Sequence, residues 1–277
     1  QQELASKNII RFLDSTDKFF LLEGDPGTGK TTIISKIFEN DIYKKKKIAF
    51  CATTNKAVTV LEQYSSLKGK NIAYTTIQKL LNIKRNIDET GRELYTYNND
   101  NNQCNKFNLK DFHVVLIDES SMICEDMLEG IIQKSRYSKT KIIFIGDRNQ
   151  LPPVNEKISN VFTIDFGKNK VKLDIIERFK NDILKYTNSI KNNNRPPKEL
   201  CKDNIRFIKE YKNWISNYMK NINESIILTY TNKKKRFINN SVRSLLFPDT
   251  IEKYNVNEKI IFNNYYCSIE NKFYSSQ

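Results

Sequence analysis

A glycine-rich run at residues 24–31 carries the clearest chemical signal in the sequence: Gly-Asp-Pro-Gly-Thr-Gly-Lys-Thr. It follows a short apolar segment, 19–22, and precedes a segment with apolar residues at helical spacing, 31–38. Glycine lets backbone N–H groups turn toward a phosphate, at a helix N-terminus that already attracts anions. The final lysine and threonine can reach the β/γ-phosphates and a Mg²⁺ ion. The run therefore predicts a nucleoside triphosphate site formed by Gly24, Asp25, Pro26, Gly27, Thr28, Gly29, Lys30, Thr31 and Thr32.

Acidic and amide side chains follow two further apolar segments. Asp118 and Glu119 end the segment 114–117, and Gln150 comes shortly after the segment 142–145. Asp118, with Thr31, can hold Mg²⁺, and Glu119 can orient and deprotonate a water that attacks the γ-phosphate. Gln150 can hydrogen-bond the γ-phosphate or that water. The pattern predicts hydrolysis with Lys30, Glu119 and Gln150 as catalytic residues, the alternative being ordinary turns after strands.

The apolar segments predict an α/β fold built on a parallel sheet. Strands are expected at 19–23, 47–52, 113–117 and 141–145, with helical or turn segments between them. Open α/β sheets bind ligands at the carboxyl ends of their strands, which is where the polar motifs lie.

Two polar stretches interrupt this alternation. Residues 84–107 read as an insertion containing a hairpin around 88–91. A second loop at 192–197 precedes a new α/β run, for which we expect a strand at 205–208, a helix at 210–222, a strand at 225–230 and a basic helix at 232–246.

The composition points to a polyanionic partner. The 277 residues carry a formal net charge of +14, and nucleic acid is the commonest partner of so basic a chain. General enrichment in Lys, Asn and Ile is the alternative explanation. There is no membrane-length apolar run and no charged-then-apolar leader, and the five cysteines form no Cys-x-x-Cys pair. These features predict an intracellular protein, in the cytoplasm or nucleus and not secreted, with no membrane partner.

Two motifs resemble a known family. Asp-Glu-Ser-Ser-Met at 118–122 and Gly-Asp-x-x-Gln-Leu-Pro-Pro-Val at 146–154 are similar to motifs of superfamily 1 DNA helicases, in the RecD-like and Dda-like branch (superfamily 1B) that moves 5′→3′ on single-stranded DNA. The resemblance implies a first RecA-like ATPase domain at 1–165 with a hairpin insertion at about 84–107. It also implies a partial second RecA-like domain at 171–277, with the start of a small barrel insertion at about 256–277, and ATP and Mg²⁺ as cofactors.

The same resemblance assigns further residues. Gln2, with Gln1 as an alternative, is similar to the glutamine that reads the adenine edge, and Arg178 resembles an arginine finger. Gln78 stands where the family usually has His. The nucleic-acid contacts implied by the resemblance are Thr53, Thr54, Asn55, Lys56, Thr76, Pro152, Thr231, Asn232 and Lys233.

The implied function is an ATP-dependent DNA helicase or translocase. Its expected partners are single-stranded or fork DNA, with RNA and replication or repair proteins as further candidates. The Thr-Arg-rich motif that ends the family's pattern is not found in this sequence. The resemblance therefore implies a fragment of a longer helicase, which we expect to bind nucleotide and to turn it over with impaired efficiency. The alternatives are an RNA-acting helicase, a nucleotide-gated binding module without unwinding activity, and a P-loop kinase, which would have no use for Gln150 and the prolines after it.

Overall fold

The computed structural model describes residues 1–87, 93–97, 108–176, 187, 189–190, 211–248, 254–256, 258, 266–267 and 273–274. The chain divides into two compact units, Gln1–Asn181 and Asp182–Gln277. Among the described residues no helix combines the length and the apolar character needed to cross a membrane.

A six-stranded parallel sheet forms the centre of the first unit, which confirms the predicted fold class. Its strands are β1 (Phe19–Gly24), β2 (Ile48–Ala52), β3 (Ile72–Thr76), β6 (Val114–Ile117), β7 (Lys141–Gly146) and β8 (Lys170–Leu173). Their order across the sheet is β3-β2-β6-β7-β1-β8. The four central strands match the four predicted segments. The two edge strands, β3 and β8, were not predicted.

Both faces of the sheet are buried, because successive side chains of a strand point to opposite faces. In β1, Leu21 joins a cluster with Val115 and Phe144, whereas Phe20 and Leu22 join a cluster on the other face. Strands buried on both sides read as continuous apolar runs, which is why the central strands could be predicted from sequence.

Helices cover the two faces of the sheet. In the first unit they are α1 (Gln2–Asp14), α2 (Lys30–Phe38), α3 (Asn55–Tyr64), α4 (Ile77–Leu81) and α5 (Glu125–Arg136). Thr54 and Thr76 cap α3 and α4: their hydroxyls accept hydrogen bonds from Ala57 N and Lys79 N. A threonine at this position satisfies one of the free N–H groups that begin every helix.

Lysine side chains hold the C-terminal ends of three helices. Lys141 Nζ donates to the carbonyl oxygens of Phe12, Ser15 and Asp17, at 2.7–2.9 Å, where α1 ends. Lys18 donates to two carbonyls at the end of α5, and Lys134 donates to Leu81 O at the end of α4. Each ammonium meets the negative end of a helix dipole and satisfies carbonyls that lack partners within the helix.

The insertion between α4 and β6 contains two antiparallel strands, β4 (Ile83–Ile87) and β5 (Glu93–Tyr97). Ile83 pairs with Tyr97 and Ile87 with Glu93, which is the pairing of a hairpin. The predicted hairpin strands are therefore present, while the turn itself lies outside the described residues.

The second unit contains the helices α6 (Tyr211–Lys220) and α7 (Asn232–Leu246) and a short antiparallel pair, β9 (Tyr266–Cys267) with β10 (Phe273–Tyr274). The helices at 210–222 and 232–246 were predicted. The predicted strand at 225–230 is wrong: these residues have no regular structure, and Ile226, Leu228 and Tyr230 are exposed. The predicted strand at 205–208 lies outside the described residues.

The sheet also changes one predicted boundary. The second domain was predicted to begin at residue 171, but β8 pairs in parallel with β1 through Leu22↔Val171 and Gly24↔Leu173. The segment therefore belongs to the first sheet, because a short strand at an open edge of that sheet completes the hydrogen bonds of β1.

Candidate nucleotide and nucleic-acid site

The phosphate loop curls tightly between β1 and α2. Gly27 and Gly29 have φ values of 80° and 87°, in the left-handed region where residues with a Cβ are strained. Gly24 faces β8 so closely that a Cβ there would lie 2.9 Å from Leu173 O. Thr28 is buried, and its hydroxyl donates to Asp25 O at 2.8 Å. The loop conformation thus depends on glycine at these positions.

One of the two N-terminal glutamines contacts the phosphate loop. Gln2 Nε2 donates to Thr28 O at 3.2 Å, and a Cβ on Gly29 would lie 2.5 Å from that nitrogen. Gln1 instead accepts hydrogen bonds through Oε1 from the backbone N–H groups of Asp174 and Ile175. The geometry therefore supports Gln2 over Gln1 as the side chain beside a nucleotide.

Lys30 begins α2 and turns back into the loop. Its Nζ donates to Gly24 O at 2.6 Å and to Asp25 O at 2.9 Å. Burial lowers the pKa of Lys30, and the charges of Asp118, Asp147, Glu119 and Asp25 act in the opposite direction. The loop therefore holds a cation among acids, where the phosphates of a nucleotide would lie.

The predicted acid pair follows β6. Burial raises the pKa of Asp118, although the backbone N–H of Glu119 donates to its Oδ1 at 2.9 Å and Lys30 lies nearby. The pKa of Glu119 is raised by burial and then by the charge of Asp118. Glu119 also has a left-handed backbone, with φ at 53°. Strain of this kind is concentrated at functional sites.

A serine joins the ends of β6 and β7. The hydroxyl of Ser120 donates to Ile117 O at 2.9 Å and accepts from the backbone N–H of Ile145 at 3.2 Å. After β7 the buried Asp147 accepts from Asn149 N, and Gln150 N donates to Asp147 O at 3.1 Å. This turn holds the half-buried Gln150 at the same edge of the sheet as Glu119.

Polar groups also end the neighbouring strands β2 and β3. Gln78 Nε2 donates to Thr53 O at 3.0 Å, and Thr53 Oγ1 donates to Met122 Sδ at 3.9 Å. Within the described residues, the buried atoms Thr75 Oγ1 and Gln78 Oε1 have no hydrogen-bond partner, and neither has Ser121 Oγ.

The structure brings together many, but not all, of the predicted residues. The carboxyl ends of the parallel strands bring several of them together: the phosphate loop at 24–31, Asp118, Glu119 and Gln150. Gln2, at the start of α1, contacts the phosphate loop. Thr32, Thr54, Asn55, Lys56 and Pro152 are exposed. Thr231, in the second unit, caps α7 by accepting from Lys234 N, and Asn232 and Lys233 are exposed in its first turn. Arg178 lies outside the described residues.

One protein-family model matches the part of the chain that contains this site. A family model described as an AAA domain matches residues 2–210. The chain belongs to that AAA-domain family. The matched AAA domain contains the phosphate loop, both acids and Gln150.

Two curated relatives extend the comparison. The AAA-domain chain is 32% identical to an uncharacterized protein of Acanthamoeba polyphaga mimivirus, over 98% of this chain and 61% of that protein. It is 29% identical to the RecBCD enzyme subunit RecD of Buchnera aphidicola, over 92% of this chain and 42% of that subunit. The chain thus spans less than two thirds of either relative. The resemblance to the RecD-like branch that its motifs indicate is confirmed.

A solved structure is a more distant neighbour of the AAA-domain chain. The Pif1 helicase from Bacteroides in complex with ADP-AlF3 and single-stranded DNA has a TM-score of 0.47 and 19% identity. The match covers 82% of this chain and 60% of that one.

Three charged residues of the AAA domain, Glu23, Arg148 and Lys170, form a cluster that the sequence did not predict. Glu23 is 2% exposed at the end of β1 and forms ion pairs with Arg148 and Lys170. A glutamate directly after the apolar run Phe-Phe-Leu-Leu could have indicated a buried carboxylate that needs a cationic partner. Its partners, 125 and 147 residues away, could not be found from sequence spacing.

Proposed function

We propose that this chain is the ATP-hydrolysing part of a helicase or translocase that moves 5′→3′ on single-stranded DNA. The observation that supports hydrolysis is the convergence of Lys30, Asp118, Glu119 and Asp147 at one edge of the sheet, where their charges act on one another. The direction of movement is inferred from the RecD-like motifs at 118–122 and 146–154.

The site fits a triphosphate with Mg²⁺. Mg²⁺ is usually held by one or two protein oxygens together with phosphate oxygens, and it neutralises charge on the transferred phosphoryl group. Thr31, half-buried in the first turn of α2, and Asp118 would hold it. Burial opposes the negative charge of Asp118, so a divalent cation at this place would relieve the cost of ionisation. Within the described residues no group of three or more His, Cys, Asp and Glu side chains forms a metal site.

In the hydrolytic step Glu119 acts as the base. It takes a proton from water while the water oxygen bonds to the γ-phosphorus, and the bond to the oxygen of the leaving ADP breaks. The raised pKa of Glu119 makes it a better proton acceptor than an ordinary carboxylate. Lys30 and the N–H groups of the loop stabilise the charge on the phosphates, and Gln150 would orient the water.

Single-stranded nucleic acid would bind across the ends of β2 and β3. Thr53, Thr54 and Thr76 lie there, and Thr54 is exposed. Hydroxyl and amide groups, together with Lys56 at the start of α3, are suited to phosphate contacts. In the second unit, Thr231, Asn232 and Lys233 would supply a further contact.

ATP hydrolysis should depend on the bound single-stranded DNA. Thr53 lies in the proposed DNA-contact segment and contacts Met122, which is three residues after Glu119. DNA binding can therefore influence the position of the catalytic base. Arg178 would complete the charge stabilisation, in which such fingers contribute about 10³–10⁵ in rate.

The experiment is steady-state ATP hydrolysis with and without a single-stranded DNA oligonucleotide. We expect stimulation by the strand, retained ATP binding but no turnover in Glu119→Gln, and loss of both in Lys30→Ala. Turnover retained by Glu119→Gln would contradict its role as base.

The same assay separates the alternatives. A flat response with normal ATP binding would support a nucleotide-gated binding module. Competition between DNA and RNA oligonucleotides of one sequence tests the RNA alternative, because contacts to the 2′-hydroxyl distinguish the two.

A further inference from the structure

A buried acid lies immediately before the phosphate loop. Glu23 precedes Gly24 in β1 and is 2% exposed. It lies between two strands, opposite Gly146 of β7 and Lys172 of β8. The residues before it, Phe20, Leu21 and Leu22, are all buried and apolar. The proposed function gives Glu23 no role.

Two cations from different segments share this carboxylate. Arg148 Nε donates to Glu23 Oε1 at 2.5 Å, and Arg148 Nη2 lies 3.4 Å from Oε2. Lys170 Nζ, from β8, lies 3.2 Å from Oε2. A guanidinium that binds both oxygens fixes direction as well as distance, whereas an ammonium acts as a point charge.

Arg148 belongs to the turn that presents Gln150. The turn is closed by Asn149 N and Gln150 N, which donate to Asp147. Arg148 also donates to Phe162 O at 3.4 Å and lies 5.8 Å from the centre of the Phe162 ring. The guanidinium group is therefore restrained by Glu23 and by Phe162, although the Arg148 side chain is 39% exposed, and these contacts restrain the turn as well.

Stability alone does not explain this arrangement. Burying the carboxylate of Glu23 costs desolvation, and the 39% exposure of the Arg148 side chain weakens the attraction that offsets this cost. An apolar residue at position 23 would avoid the cost and continue the pattern of β1. What an apolar residue would not supply is a directional link between β1 and the turn after β7.

We propose that Glu23 and Arg148 are positioning residues: their ion pair holds the turn carrying Gln150 in register with the phosphate loop that begins at Gly24. The proposal rests on the proposed function, because its consequence is measured in ATP hydrolysis. Neither residue contacts the nucleotide in this account, and Lys170 only balances the charge of Glu23.

The test compares Arg148→Met, Arg148→Lys and Lys170→Met with the wild-type chain. Kd for a fluorescent ATP analogue and kcat for strand-stimulated hydrolysis are measured for each. We expect Arg148→Met to lower kcat by about tenfold or more while Kd stays nearly unchanged, since misplacing a reacting group by about 1 Å costs up to about 10² in rate. Arg148→Lys, which keeps the charge, should recover part of that loss.

Lys170→Met is the matched control, because it removes a cation from the same carboxylate without touching the turn. A kcat near the wild-type value in Lys170→Met, with a loss in Arg148→Met, supports the proposal. Equal losses in both variants, or a wild-type kcat in Arg148→Met, overturn it. Absence of strand-stimulated hydrolysis in the wild-type chain contradicts the proposed function itself, and the positioning role falls with it.

Discussion

At the scale of single residues, Gly29 carries two constraints at once. Its φ of 87° favours glycine, and Gln2 Nε2 occupies the space that a Cβ would need. Gly167 offers a comparison, because it is also left-handed, with φ at 52°, but has no atom within 4 Å of the Cβ position. An alanine at position 167 would therefore cause backbone strain alone, whereas an alanine at position 29 would add a steric conflict with Gln2.

We predict that Gly29→Ala lowers nucleotide affinity by about tenfold or more and destabilises the fold by about 1–2 kcal/mol, the usual cost of a left-handed residue with a Cβ. Gly167→Ala should show the loss of stability alone. Nucleotide titration and urea unfolding measure the two effects. Adding Gln2→Ala to Gly29→Ala removes the atom in conflict, so failure to recover any stability in urea would contradict the steric conflict with Gln2.

Glu119 has a cost to the folded chain that follows from its surroundings. The fold raises the pKa of this carboxyl because it favours the protonated form. The free energy of unfolding is therefore highest below the unfolded-state pKa, about 4.3, where the carboxyl is protonated in both states, and it falls as the pH rises through the higher folded-state pKa. At neutral pH the ionised side chain therefore opposes folding of the nucleotide-free chain.

We predict that Glu119→Gln is more stable than the wild-type chain at pH 7.5, by less than about 1 kcal/mol because the carboxyl is partly solvated. The difference should shrink toward pH 4.5. Urea unfolding at the two pH values measures it, with the exposed Glu129→Gln as control. A variant less stable than the wild-type chain at neutral pH would show that partners of the carboxylate outweigh its burial.

At the scale of elements, Lys141 links β7 to α1, the helix that carries Gln2. Its ammonium donates to three carbonyls and lies 4.7 Å from the centre of the Phe12 ring. We predict that Lys141→Met destabilises the fold by about 1 kcal/mol, because three partly buried carbonyls lose their donor. Urea unfolding of this variant and of Lys139→Met, an exposed neighbour, measures the effect; equal stabilities would show that water replaces the ammonium without loss.

The elements also show which features a sequence can reveal. The central strands are continuous apolar runs, and the phosphate loop and acids follow them directly, so both were predicted. The edge strand β8 alternates lysine with apolar residues, and in β3 only Thr75 and Thr76 are buried. Neither has the apolar run that identifies a buried strand.

The same reasoning failed where burial depends on a partner. Residues 225–230 have a strand-like composition, but a strand also needs a neighbour for its backbone groups, and none is paired with this segment in the described part of the chain. The Glu23–Arg148 pair needed the sheet itself, because β1 and β7 become neighbours only after folding.

At the scale of the whole molecule, the net charge of +14 predicts strong salt dependence of strand binding. If the groups at the ends of β2 and β3 contact about four phosphates, log Kobs should fall against log salt with a slope of about −3. Fluorescence anisotropy with a single-stranded oligonucleotide measures the slope.

A pair of exposed lysines makes that prediction local. Lys56→Ala, at the start of α3, should reduce the slope by about 0.7, the value for one phosphate contact on a single strand. Lys110→Ala, at the amino end of the central strand β6 and so at the opposite end of the strands, should leave it unchanged. Equal changes of slope in both variants would mean that the positive charge of the whole chain attracts the DNA, without a defined binding site at the ends of β2 and β3.

The strand order has a consequence for the time course of synthesis. Both neighbours of β1 are encoded far downstream, since β7 begins at residue 141 and β8 ends at residue 173. A ribosome that adds about 5–20 residues per second would leave β1 without its partners for roughly 7–30 s. During that interval the apolar segment 19–22 lacks both neighbouring strands, which makes it the expected place for a chaperone to bind. The nucleotide site can then form only when almost the entire first unit has left the ribosome.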